Sequence, residues 1–127
     1  MTTITHINPE ALNKNPAFSQ GALAEGGRTL YVGEQNGTDA TGAITGDYAD
    51  QTRQALRNVL AVLAEVGADQ GNVVKMTIYI VEGQDPNAGY AASAEVWGHN
   101  ATAVTVLIVR ALGRPEALVG IEVIAVV

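Results

Sequence analysis

Apolar side chains recur at steps of three and four through residues 46–68, GDYADQTRQALRNVLAVLAEVGA, where Leu56, Val59, Leu60, Leu63 and Val66 form one stripe. That spacing matches the period of an α-helix with a single buried face. Asp47 is placed to act as N-cap, Asp50 brings negative charge to the first turn, and Gly67 stands where a left-handed terminus is expected. Arg53, Gln54, Arg57 and Ala61 fall mainly off the stripe, toward water. About twenty residues make roughly 30 Å of helix, long enough to cover one face of a sheet of about four to six strands.

Elsewhere the period is two. Residues 2–7 (TTITHI) alternate and stop at Asn8-Pro9, which predicts a short first strand with His6 as a surface or strand-end side chain. Residues 8–29 mix Pro, Gly, Asn and small side chains and read as loop, with residues 17–21 (AFSQG) extending toward a strand at 29–33 (TLYVG). Asn36-Gly37 is a turn dipeptide. Gly33 and Gly37 serve either turn geometry or a close approach of backbone to a ligand. In residues 72–81 (NVVKMTIYIV), Val74, Met76, Ile78 and Ile80 share one face while Val73, Lys75, Thr77 and Tyr79 share the other. A turn at 82–87 leads to a second helix over 88–99 (AGYAASAEVWGH), with Tyr90, Ala94 and the core anchor Trp97 inward. Residues 103–109 (AVTVLIV) are apolar on both faces, as a strand covered on both sides would be. A loop at 110–116 precedes a last strand at 117–127.

The order β-β-α-β-α-β-β predicts an α+β fold with two helices on one face of a mixed sheet. The second face, with Val73, Tyr79 and Leu107, is too apolar for water, so a homo-oligomer is expected. At 127 residues, 47% hydrophobic and 16% charged, the chain makes a single domain over 1–127 with an ordinary core. It has no cysteine, which excludes a disulfide framework, a thiol nucleophile and a thiolate metal site. No apolar run reaches the roughly 20 residues of a membrane span, and the start, MTTITHINPE, lacks the regions of a signal peptide, so a cytoplasmic protein is expected. A net charge of −6 with seven scattered Lys and Arg argues against a nucleic-acid partner. Neither a phosphate loop nor a dinucleotide motif is present.

The segments FSQG, GEQNG, GDYADQTRQALRNVLAVLAEVGA, VVKMTIYI and the C-terminal IEVIA together resemble the Rid family, reactive intermediate deaminases also known as YjgF or endoribonuclease L-PSP proteins. The resemblance covers nearly the whole chain. It implies a chorismate-mutase-like fold, a homotrimer with small-molecule clefts between subunits, and cofactor-free, metal-free hydrolysis of enamines and imines to a keto acid and ammonia. Such a reaction needs a cation for the substrate carboxylate, best a guanidinium, and a proton-transfer group beside the imine carbon.

Position by position, this chain departs from the family pattern. Where the family's Pro-Ala-Arg-Thr carries its carboxylate-binding arginine, Val104 stands, followed by Thr105. The first Glu of the family's Glu-Ile-Glu is Gly120 in Gly120-Ile121-Glu122. The tyrosine of its Tyr-Ser-Gln is Phe18, and a common hydroxyl after the second strand is Gly33. A lost charge-assisted contact removes roughly 1.5–3 kcal/mol of binding, and a lost proton-transfer group about 10²–10⁴ in rate. Glu34 and Glu122 are the candidate catalytic carboxylates, with Glu122 on the same strand face as Gly120. Phe18, Ser19, Gly33, Gln35, Asn36, Tyr90, Val104, Thr105 and Gly120 are candidate substrate contacts. Arg110 and Arg114 are either solvated loop residues or reach a neighbour's cleft. The readings that follow are a divergent deaminase with an altered substrate, a non-catalytic ligand-binding or regulatory trimer, and a ribonuclease, which would need a basic surface.

Overall fold

Asp47 opens the longest element. In the computed structural model, which describes residues 2–127, its carboxylate accepts from the Asp50 amide at 2.9 Å while the Asp50 carboxylate accepts from the Asp47 amide at 3.2 Å. This reciprocal box satisfies two otherwise orphaned donors and starts α1 (Tyr48–Glu65). The helix ends where Gly67 turns left-handed at φ 72°. Tyr48, Ala55, Leu56, Val59 and Leu63 face the core, and Leu60 is half-buried. Val66, expected on the stripe, is exposed because the helix has already finished at Glu65.

The helix covers a mixed sheet of four strands in the order β3-β6-β4-β5: β3 (Thr29–Gln35), β4 (Val73–Val81), β5 (Ala103–Val109) and β6 (Val119–Val126). β6 runs antiparallel to β3 and β4, while β4 and β5 are parallel and joined through α2 (Pro86–Trp97). The core lies between α1 and α2 and the inner sheet face, built on Val32, Met76, Ile80, Trp97, Ile121 and Val123. Two helices on a mixed sheet is the expected α+β architecture, and Trp97 is the core anchor it was read as.

Several details differ from the sequence pattern. Residues 21–25, read as loop, form β2 (Gly21–Glu25), which pairs antiparallel with β1 (Thr3–Ile7) in a separate ribbon. Glycine and alanine give GALAE little strand preference of its own, so its pairing with β1 makes it a strand. Three strands, not two, therefore precede α1. In β4 a bulge at Val74 advances the register between Val73 and Lys75. Val73, fully buried, joins Met76, Ile78 and Ile80 toward the helices in place of Val74. α2 begins earlier than expected, at Pro86, because Asp85 caps it by accepting from the Asn87 amide at 2.9 Å. Its inward residues are Gly89, Ala92 and Trp97, while Tyr90 (54% exposed) and Ala94 turn outward. The cause is Gly89, whose bare backbone is pressed against the Tyr48 hydroxyl and leaves no room for a side chain.

β5 is an edge strand with Val106, Leu107 and Ile108 exposed, so the chain alone does not cover it on both faces as its composition suggested. Gly33 sits inside β3 with open space beside it. Gly37 is no hairpin turn. It is a buried bend where the chain after β3 crosses α1, and a Cβ there would lie 2.6 Å from Gln51 Cα. Helix backbone cannot yield as a side-chain end can. Gly37→Ala is therefore expected to cost about 1–3 kcal/mol, read as a lower denaturant midpoint; an unchanged midpoint would show that the crossing has slack.

Candidate functional site

Strand alternation sends neighbouring residues to opposite faces of a sheet, so the register divides the candidate residues into two compartments. On the face away from the helices, Thr105, Thr77 and Glu122 lie in one transverse row across β5, β4 and β6. The next row holds Leu107, Tyr79 and Gly120. Neighbouring strands are about 4.8 Å apart, so the side chains of these two rows share a patch roughly 10 Å wide. Gly120 and Glu122 do share a face, as the sequence indicated.

Glu34 comes to this patch from β3. Its carboxylate lies directly over Gly120, in the space where a side chain at position 120 would begin. Asn36 holds it there: one amide nitrogen reaches both Glu34 Oε2 at 3.3 Å and the Val119 carbonyl at 3.1 Å. The Tyr79 hydroxyl donates to Glu122 Oε1 at 3.2 Å. Burial, then the hydrogen bond to Glu122, then the negative charges of Glu122 and Glu34 hold the Tyr79 phenol above the usual tyrosine range. The patch thus pairs two carboxylates with a phenol that keeps its proton. Among the described residues no group of three metal-ligating side chains forms.

The surroundings of Thr105 differ from what its neighbours in sequence suggest. No arginine is near it in the chain, yet Lys75 reaches across from β4 and donates to Thr105 Oγ1 at 2.6 Å. Among the described residues no carboxylate pairs with that half-buried ammonium. Lys75 and Tyr79 were read only as members of a strand face. The signal that finds them is the parallel pairing of β4 with β5, which sets Lys75 beside Ala103 and Thr77 beside Thr105. Arg114 is occupied within the chain, donating to the Gly42 carbonyl at 2.7 Å and pairing with Glu116 at 3.2 Å. Arg110 is exposed beyond the end of β5.

Phe18, Tyr90 and Val104 belong to the other compartment. Phe18 and Val104 line, and the exposed Tyr90 borders, an apolar cavity of about 180 Å³ on the helix side of the sheet, between α2, the start of β5 and residues 16–18. Ser19 is buried and structural: its amide bonds to the Thr102 carbonyl at 2.9 Å, and its hydroxyl accepts from Asn8 at 3.2 Å. Gln35 turns back on the Gly33 carbonyl at 3.0 Å. The candidates thus form two groups on opposite faces rather than one site.

Tyr79 and Tyr48 both titrate above their ordinary value in the folded chain, Tyr48 through burial and then the charge of Asp85. A raised folded pKa contributes stability that is complete below about pH 10 and is lost as pH rises through the folded value. Denaturant midpoints should therefore fall above about pH 10, and Tyr79→Phe should make that fall shallower. An identical pH profile in the variant would contradict this.

The family model described as Endoribonuclease L-PSP matches residues 8–127. A RutC-family protein of Pyrococcus horikoshii is 34% identical over 110 residues, 85% of each chain. The 2-iminobutanoate/2-iminopropanoate deaminase of Rattus norvegicus is 37% identical over 71 residues, and the match covers 54% of this chain but only 50% of that one. Among solved structures, a Rid-family protein of unknown function from Yersinia pestis superposes with a TM-score of 0.87 at 31% identity, covering 98% of both chains. TdcF of Escherichia coli, solved with bound serine, gives 0.71 at 25% identity over 94% of this chain and 93% of its own. With a family model spanning residues 8–127, a relative 34% identical over 85% of both chains and a solved structure superposing over 98% of both, this chain belongs to the Rid family, the endoribonuclease L-PSP group.

Proposed function

We propose that the protein is a cofactor-free imine and enamine hydrolase with a relocated site, working as a cytoplasmic homotrimer in which the open sheet face of each chain forms one wall of a cleft closed by a neighbour. The observation that carries this reading is the Glu34 carboxylate lying over Gly120. A carboxylate fills the space that the family resemblance assigns to a glutamate at 120, but it arrives from another strand. Lys75 beside Thr105 supplies a cation on the same face. An ammonium offers a point charge in place of a guanidinium fork, so the anionic end of a substrate is held less rigidly.

In this reading water adds to the C=N carbon, and Glu34 accepts a proton from that water. That proton passes to the nitrogen to give a carbinolamine, the carbinolamine hydroxyl proton then moves to the nitrogen as the C–N bond breaks, and a carbonyl compound and ammonia leave. An enamine first takes a proton at carbon to become the imine. Tyr79 fixes the Glu122 carboxylate beside this centre, so the developing positive nitrogen meets negative charge on two sides. The deaminase named among the relatives is consistent with this chemistry. A ribonuclease finds less support: the net charge is −6, and Arg53 and Arg114 are already ion-paired.

The test uses 2-iminobutanoate generated in situ, following the keto acid released. The expected result is turnover that falls about 10²–10⁴-fold in kcat for Glu34→Gln. Exchanging the two positions in a Glu34→Gly, Gly120→Glu double variant should recover much of it. Lys75→Met should raise KM by roughly ten- to a hundredfold while leaving kcat nearly unchanged. Wild-type turnover in Glu34→Gln, or no turnover by the intact protein, would overturn the hydrolase reading.

A further inference from the structure

We propose that helix α1 sets the Glu34 carboxylate from behind the sheet, through a strip of three side-chain amides, and that Asn58 in this strip is a positioning residue for Glu34. The inference rests on the reading of Glu34 as the proton acceptor.

The strip is Gln51, Gln54 and Asn58, spaced by three and four along one side of α1. Gln51 is only 3% exposed. An amide in such a place costs stability unless its hydrogen bonds are made, and once made they hold its partners in a single arrangement. Gln51 Nε2 donates to the Gly46 carbonyl at 3.2 Å and the Glu116 carbonyl at 3.3 Å, while its Oε1 accepts from the Leu118 amide at 2.8 Å. The helix is thereby tied to the segment that enters β6.

Asn58 grips the other segment, the bend that leaves β3. Its Nδ2 donates to the Asn36 carbonyl at 3.1 Å and the Thr38 carbonyl at 2.9 Å, with the Thr38 hydroxyl also within reach at 3.3 Å. Gln54 Nε2 donates to Asn58 Oδ1 at 2.9 Å, which fixes the end of the Asn58 amide that faces the bend.

Both roots of the contact that places Glu34 are therefore held by α1. The Asn36 side chain springs from main chain that Asn58 grips. Its second acceptor, the Val119 carbonyl, follows directly on Leu118, which Gln51 grips. The pairing of β3 with β6 ends at Gln35 and Ile121, so past that point the Asn36 amide spans the two strands in place of the ladder. Two main-chain anchors fix this amide, and the Glu34 carboxylate takes the place they leave it. At 3.3 Å the Asn36–Glu34 bond is already long, so a bend displaced by a few tenths of an ångström releases it. A misplacement of about 1 Å at a reacting group can cost on the order of 10²-fold in rate.

The experiment takes two readouts on the intact protein: the ¹³C signal of the Glu34 carboxyl carbon at fixed neutral pH, and kcat and KM for 2-iminobutanoate generated in situ. Asn58→Ala should move the Glu34 signal and leave that of Glu122 in place. It should lower kcat roughly ten- to a hundredfold with KM nearly unchanged. Gln54→Ala, which removes only the bond that orients Asn58, should act in the same direction more weakly and guards against a poorly folded Asn58→Ala. In a Glu34→Gln background, Asn58→Ala should take nothing further from the residual turnover, because the group it positions is gone. A Glu34 signal that stays in place in both single variants would overturn the inference. So would an equal loss of kcat with and without Glu34, the result of a general loosening of the fold. A Glu34 signal that moves while kcat does not would overturn Glu34 as proton acceptor and leave the positioning standing, so the two failures are distinct.

Discussion

Strand β6 is gripped from both sides, by β3 and by β4, and its residues Val119, Ile121, Val123 and Ala125 are all at most 2% exposed under the helices. That one-sided burial organises the chain. The same alternation that drives these four inward obliges Gly120, Glu122 and Ile124 to face away from the helices, where the chain provides no covering layer. A sheet with one covered face must offer the other to water or to a partner. This face is not uniform. Tyr31 (74% exposed) and Leu107 (43%) stand toward its flanks, while Lys75, Thr77, Tyr79 and Glu122 occupy the middle. A plain adhesive surface has its apolar groups at the centre and polar ones at the rim. The arrangement here is reversed, with polar groups at the centre and apolar ones at the flanks.

Two positions set this chain apart from the family pattern. Where the resemblance implies a glutamate the chain has Gly120, and the side chain of Glu34, 86 positions earlier, fills the space that this glycine leaves. A cation is absent at Val104, yet Lys75 touches the hydroxyl of the next residue along. The carboxylate keeps its place beside position 120, whereas Lys75 lies on the face of the sheet opposite to Val104. The glycine at 120 is then a steric requirement, since any side chain there would displace Glu34.

Much of the fold was legible because local physics and global packing agree. The stripe and capping box of α1, the alternation of β4 and the run of β6 each carry their own periodicity and stop signals. What stayed hidden was non-local. β2 is a strand through its partner rather than its composition. One extra residue at Val74 inverted the assigned faces of Val73 and Val74. Tyr90 turned outward because Gly89 gives α2 its contact with Tyr48. The candidate site suffered most: Phe18, Val104 and Tyr90 are near the polar candidates in alignment but on the far side of the sheet, and Lys75 is invisible until β4 and β5 are paired.

All of this rests on the open face being closed by other copies of the chain. Sedimentation equilibrium on the intact protein tests that most directly. The account predicts a species of three times the 13.2 kDa chain mass, stable at micromolar concentrations. A single species at 13.2 kDa would contradict it, because the polar patch would then have one wall and lie open to water.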